Sequence, residues 1–254
     1  MTDAAKRVQL SAETRQAFEA YVQHAERALG VGSPAKLSFL RDRLDAKKAD
    51  KIRRGSVLAQ RSAGQEPEHI PNGLIHDWSG TAFAPGVSVQ QLLALVQDYN
   101  NYKNVYQPEV VDSRLLSNDG LHFRIFLRLL KKKILTVVLD SEHDVLYSEI
   151  TPDHWNCRSL TTRICEVEHA GKTQETVMPA DSGFGFMWRL NSYWSFEEVD
   201  GGVWIDCRAI SLSRDIPTGL GWIVEPIIRN LPRESLIHTL ECTRLAALQR
   251  KEAP

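Results

Sequence analysis

The chain is poor in residues that staple a fold or span a membrane. Its 254 residues include four cysteines, Cys157, Cys165, Cys207 and Cys242. None sits in a CxxC pair, which excludes a zinc ribbon or a thioredoxin-type motif; the four are expected as reduced, mostly buried small hydrophobes. No apolar run reaches the roughly 18 residues of a membrane span. Charge of one sign is missing too: 31 Lys and Arg stand against 32 Asp and Glu, unlike the clustered basic excess of a nucleic-acid protein, so no nucleic-acid partner is expected. The first ten residues, MTDAAKRVQL, lack the apolar core of a secretory leader. The expected location is cytoplasmic, or periplasmic or secreted if a leader was removed upstream. A chain of this length closes a core without disulfides or metal.

Catalytic signatures are equally scarce. No GxSxG elbow, HExxH helix, P-loop or GxGxxG turn occurs, so no cofactor and no metal site are expected. The acidic run 140–144, DSEHD, has metal-ligand residue types but not the offsets or central glycine of an EF-hand. It reads as a solvated turn between strands at 134–139 and 145–150.

What is present is a sequence of periods. Phe18, Val22, Ala25 and Leu29 recur at helical spacing, with Ser11 as a cap and Gly30 as a stop, which predicts a helix over 11–29. Ser33-Pro34 then opens a short helix marked by Leu37, Leu40 and Leu44. The basic run 47–54 reads as solvated, 56–61 as a short strand, and 62–73 as a loop rich in Gly and Pro. A strand over 74–83 precedes a helix with Ser88 and Gln91 at capping-box spacing. From about 109 to 213 the alternation is that of strands joined by short turns, among them 117–120, 131–133 and Asp200-Gly201-Gly202. A C-terminal helix closes the chain, bent at Pro226 and restarted at Pro232. An antiparallel meander must cover one apolar face, and that helix is the element left to do it. The gap between a curling sheet and one helix is a natural small-molecule pocket.

Two stretches carry a resemblance. They are GLIHDWSGTAFAPGVSVQQLLALVQDYNNY (73–102) and YWSFEEVDGGVWIDCRAISLSRDIP (193–217) followed by the helix through Arg244. Over about residues 70–248 the order resembles the START-like (SRPBCC) superfamily of lipid-transfer domains, pollen-allergen-like proteins and polyketide cyclase/dehydrases, in a bacterial branch. The resemblance implies an α+β helix-grip fold: a curved antiparallel sheet of six to seven strands around a long C-terminal helix. Residues 1–69 form a helical extension and 70–254 the ligand-binding domain. It also implies binding, sequestration or transfer of a hydrophobic small molecule such as a lipid, fatty acyl, isoprenoid or polyketide.

Candidate residues follow, each beside a plainer reading. Trp78, Tyr102, Phe126, Trp188, Tyr193 and Trp222 form a ligand-gripping wall, or ordinary core. Arg124, with His122 and Arg128 on one strand face, binds an acidic head group if that face is concave and is solvated if it is convex. Arg163 and Arg189 allow the same two readings. Phe184 and Phe186, in the glycine-containing segment SGFGF, are a lid or a simple hairpin. Three lysines at 131–133 touch an anionic membrane surface transiently, or only mark a turn. Two alternatives stand beside the carrier. One is a cyclase/dehydrase-type enzyme using His76, Asp77 and Tyr193. The other is an interaction protein whose N-terminal helices dock a partner or plug the cavity.

Overall fold

A computed structural model describes residues 7–32, 37–62, 67–132, 136–215 and 221–252, with only the backbone described at 221–229 and 251–252. The strands are β1 Val8–Gln9, β2 Leu58–Arg61, β3 Glu68–Ile70, β4 Gly73–Pro85, β5 Val110–Asp119, β6 His122–Lys132, β7 Thr136–Thr151, β8 His154–Glu168, β9 Thr176–Val177, β10 Ser182–Gly183, β11 Arg189–Val199 and β12 Gly202–Arg214. The helices are α1 Ala12–Leu29, α2 Ala46–Arg53, α3 Val89–Val96, α4 Tyr102–Val105 and α5 Gly221–Glu252. One antiparallel sheet runs β2-β4-β12-β11-β8-β7-β6-β5, with β3 beside β4 and β9 beside β8. Helix α5 lies across its concave face, and Gly80 lets it approach: a Cβ there would sit 2.6 Å from Leu240 Cδ1. This is the helix-grip architecture. Among the described residues no helix is long and apolar enough to cross a membrane. All four cysteines are unpaired, three of them buried.

The N-terminal segment packs on the other, convex face. Ser11 accepts the Thr14 N–H, and Gly30 ends α1 in the left-handed region at φ 93°. Its apolar stripe, Phe18, Val22, Ala25 and Leu29, is buried with Ile75, Trp188, Tyr193, Ile210 and Leu212. Each large side chain so buried stabilises by about 1.5–3 kcal/mol. The segment is also sewn into the sheet. Strand β2 pairs with β4 over Leu58–Arg61, and β3 spans the expected boundary at 69/70.

The structure corrects four local expectations. The basic run 47–54 is mostly helix α2, capped by Asp45 with Ile52 buried underneath. The leucines before it lead into a single 3-10 turn, Arg41–Arg43, and Ser33-Pro34 lies outside the described residues. Helix α5 runs unbroken through Pro226 and Pro232. The acidic run 140–144 is no turn: it lies within β7. Its carboxylates are satisfied across the strands. Asp140 receives Arg128 Nε at 2.7 Å, Glu142 receives Arg163 at 3.2 Å, and Asp144 pairs with His122. Ser141 and His143 point the other way and are buried. A register shift at Glu142/His143 bends the strand there.

Candidate functional site

The concave face and α5 enclose a cavity of about 540 Å³, within the roughly 300–1,000 Å³ typical of small-molecule sites. Its layers follow from strand direction, because the strands alternate and every second residue points inward.

The deep end is aromatic. Tyr99, Tyr102, Tyr147 and Phe196 line it with Val96 and Cys157. The phenols are turned to one another and to the backbone. Tyr147 donates to the Val96 carbonyl at 3.0 Å, Tyr102 donates to the same carbonyl, and Tyr99 donates to Tyr147 at 3.1 Å. The floor therefore offers ring surface rather than hydroxyls. Burial holds all three phenols far above the usual tyrosine range and pushes the Cys157 thiol up to about 12, so none is an anionic nucleophile near neutral pH.

The middle is polar. His143, Ser159, Ser192, Ser211 and His76 line it. Ser159 lies opposite Ser192 and Ser211 opposite His76 in the strand register. Burial lowers the His143 pKa to about 4, so the ring is neutral. It contacts the Ser141 hydroxyl at 3.0 Å and the Ser159 hydroxyl at 3.4 Å. Ser141 donates to the Leu127 carbonyl, so it accepts from His143 Nε2–H, and Nδ1 is left to accept from Ser159.

Among the described lining residues, the Asp, Glu, Lys and Arg side chains are confined to the mouth, where the strands end: the Glu109–Lys131 ion pair, Arg214 and Asp215. Phe184, Gly185, Phe186 and Met187 complete that rim. The Glu166 carboxylate holds this segment, accepting the N–H groups of Phe184, Gly185 and Phe186 at 2.7–3.0 Å. A Cβ at Gly183 would lie 2.6 Å from Glu166. On the outside, β1 pairs with β10.

The sequence-predicted residues divide between the two faces. Trp78, Tyr102 and His76 line the cavity, and Phe184 and Phe186 its mouth. Four lie elsewhere. Arg124 is exposed beside Glu142 at 3.5 Å, and Phe126 lies beneath the Arg114 guanidinium, 4.2 Å from its ring centroid. These two share the convex face because Ile125 and Leu127 take the inward positions. Trp188 and Tyr193 are buried against α1, with the Tyr193 hydroxyl donating to Glu26 at 2.8 Å. Asp77 also faces α1, clasped by Arg208 at 2.6 and 3.0 Å and by the Tyr21 hydroxyl at 2.9 Å. The triad expected of an enzyme is thus split by the sheet. Arg163 pairs with Glu142 and Arg189 with Asp181. The Trp222 side chain and Lys133 lie outside the described residues. Among the described residues no three His, Cys, Asp or Glu converge as a metal site. His143 and the three serines were missed, although the alternation in TVVLDSEHDVLY marks Ser141 and His143 as one face of a strand.

No family model matches the chain, and no curated protein matches it. Solved structures of similar chain path exist. A STAR-related lipid transfer protein fragment from Xanthomonas axonopodis overlaps 72% of this chain and 97% of its own, at TM-score 0.47 and 13% identity. The Zhui aromatase/cyclase from a Streptomyces species overlaps 70% and 97%, at TM-score 0.46 and 11% identity. Human STARD10 overlaps 82% and 84%, at TM-score 0.44 and 10% identity.

Proposed function

We propose that the protein binds an apolar small molecule between the sheet and α5, for sequestration or transfer. The observation that carries this reading is the cavity itself: about 540 Å³, floored by aromatic rings, with the described Asp, Glu, Lys and Arg lining residues at its rim. Burying ligand surface there gains about 25 cal/mol per Å². The Phe184–Met187 segment closes the mouth, held by Glu166 from beneath. The described N-terminal elements serve as a buttress: α1 lies on the face opposite the cavity. A carrier suits the interior better than the cyclase reading, because Asp77 and Tyr193 point away from His76 and the His143 nitrogens are both engaged by hydroxyls. General acid–base catalysis needs its groups within reach of one substrate.

Organic extraction of natively purified protein, read by mass spectrometry, tests the proposal. The expected result is an apolar molecule near one per chain, or uptake of one equivalent of diphenylhexatriene by stripped protein. Neither co-purification nor uptake would overturn it.

A further inference from the structure

Five inward-facing side chains form one band across five neighbouring strands: His143 on β7, Ser159 on β8, Ser192 on β11, Ser211 on β12 and His76 on β4. The pairings Ser159–Ser192 and Ser211–His76 are direct cross-strand neighbours, and Ser192 sits one inward step from Ser211, since its own partner is Ala209. Apolar groups flank the band, Leu139 and Leu190 toward the mouth, Cys157 and Cys207 toward the floor.

The band has unused hydrogen-bonding capacity. Ser192 accepts the Trp194 indole N–H at 2.9 Å, which leaves its own O–H to donate. The Ser211 hydroxyl makes no hydrogen bond among the described residues. The remaining feature is charge. His143 is neutral, and among the described lining residues the carboxylate, ammonium and guanidinium groups all sit at the mouth. A carboxylate or phosphate held beside Ser192 and Ser211 would be desolvated with no Lys or Arg among the described lining residues at that depth, at a cost that neutral hydroxyls do not offset. A ketone, ester or alcohol oxygen carries no such penalty and matches the hydroxyl donors.

We infer that the ligand is a neutral, largely apolar molecule bearing oxygen substituents partway along its length, with those oxygens received by Ser192 and Ser211. This rests on the carrier reading above and narrows it. It disfavours an anionic group placed at the band, and a plain hydrocarbon, which would leave the hydroxyls unpaired.

The experiment uses the full chain and displacement of diphenylhexatriene by three competitors: 5α-androstane, 5α-androstane-3,17-dione and hexadecanoate. It is repeated on Ser192→Ala/Ser211→Ala, which removes two oxygens and little volume. The expected result is that the dione displaces the probe at about tenfold lower concentration than androstane from the natural protein. That preference should collapse toward unity in the double variant, while diphenylhexatriene affinity is kept. Equal potency of dione and androstane, a preference for hexadecanoate, or a preference surviving in the variant would each overturn the inference while leaving the carrier reading intact. Failure of the natural protein to bind diphenylhexatriene, with no apolar molecule co-purifying, would overturn both. Should the double variant not fold, as judged by its thermal transition, the single Ser211→Ala variant decides on the same criterion.

Discussion

The two faces of one sheet have opposite designs. The same strands supply both: His76 faces inward and Asp77 outward, Ser192 inward and Tyr193 outward, Cys207 inward and Arg208 outward. Outward, α1 packs on Ile75, Trp188, Tyr193, Ile210 and Leu212, and the polar pairs beside it, Asp77 with Arg208 and Tyr193 with Glu26, are closed. Inward, α5 touches the sheet closely along β4 and β2, at Gly80, Phe83 and Ala59, and the cavity beside it keeps space and uncommitted hydroxyls. A protein that carried both properties on one face would lose either packing or volume. Separating them by strand parity lets the convex face supply stability while the concave face stays open for a ligand.

That contrast breaks most visibly at Asp77–Arg208. Removing one partner of a buried ion pair strands the other charge, at about 3–5 kcal/mol. Arg208→Ala should therefore unfold at much lower urea concentration, while the fraction still folded takes up diphenylhexatriene with natural affinity. A variant that kept its stability would contradict the assigned role of the convex face.

The mouth should respond more mildly. Glu166→Gln replaces one carboxylate oxygen by an amide nitrogen against three N–H donors. Probe release, followed by stopped-flow fluorescence, is expected to quicken about tenfold, consistent with losing a charged hydrogen bond. An unchanged release rate would remove the Phe184–Met187 segment from the exit path.

The smallest effect is one of pH. Burial raises the Asp206 carboxyl to about 7 despite nearby Arg41. A carboxyl with a folded pKa above its unfolded value contributes stability that is full below about 4 and is lost as pH rises through about 7. His143 acts in the opposite sense: its contribution is present above about 6.5 and is lost as pH falls toward about 4. Comparing variants separates the two. Relative to the natural protein, Asp206→Asn should gain in Tm as pH is raised from 5 to 8, whereas His143→Gln should gain as pH is lowered from 7 to 4.5. Parallel Tm profiles for natural and variant chains would refute these assignments.

Local grammar made much of the fold legible. Ser11 and Gly30 bound α1, Ser88 and Gln91 form the capping box, and Gly201 turns β11 into β12. Those signals are short-range, so the sequence carries them in full. Element order also sufficed for the sheet and its closing helix. What stayed hidden was face. Phe126 and Tyr193 look like ligand-gripping aromatics until register puts them on the convex side, and a shift of one residue exchanges the faces completely. DSEHD resembles a turn because its acids are paired with Arg128, Arg163 and His122 from neighbouring strands, partners that are remote in sequence. His143 was lost with it. The serines of the band were missed for a related reason: a single Ser in a strand carries no signal, and only cross-strand register gathers several into one surface.

The most direct test of the division is to fill the concave face and leave the convex face untouched. Ala209 lines the cavity between Ser192 and Trp78 in the register. Ala209→Phe places a ring in the open volume. The expected result is a loss of diphenylhexatriene affinity of about a hundredfold or more, with a Tm equal to or above that of the natural protein. Natural affinity in a folded Ala209→Phe variant would contradict a binding site between the sheet and α5.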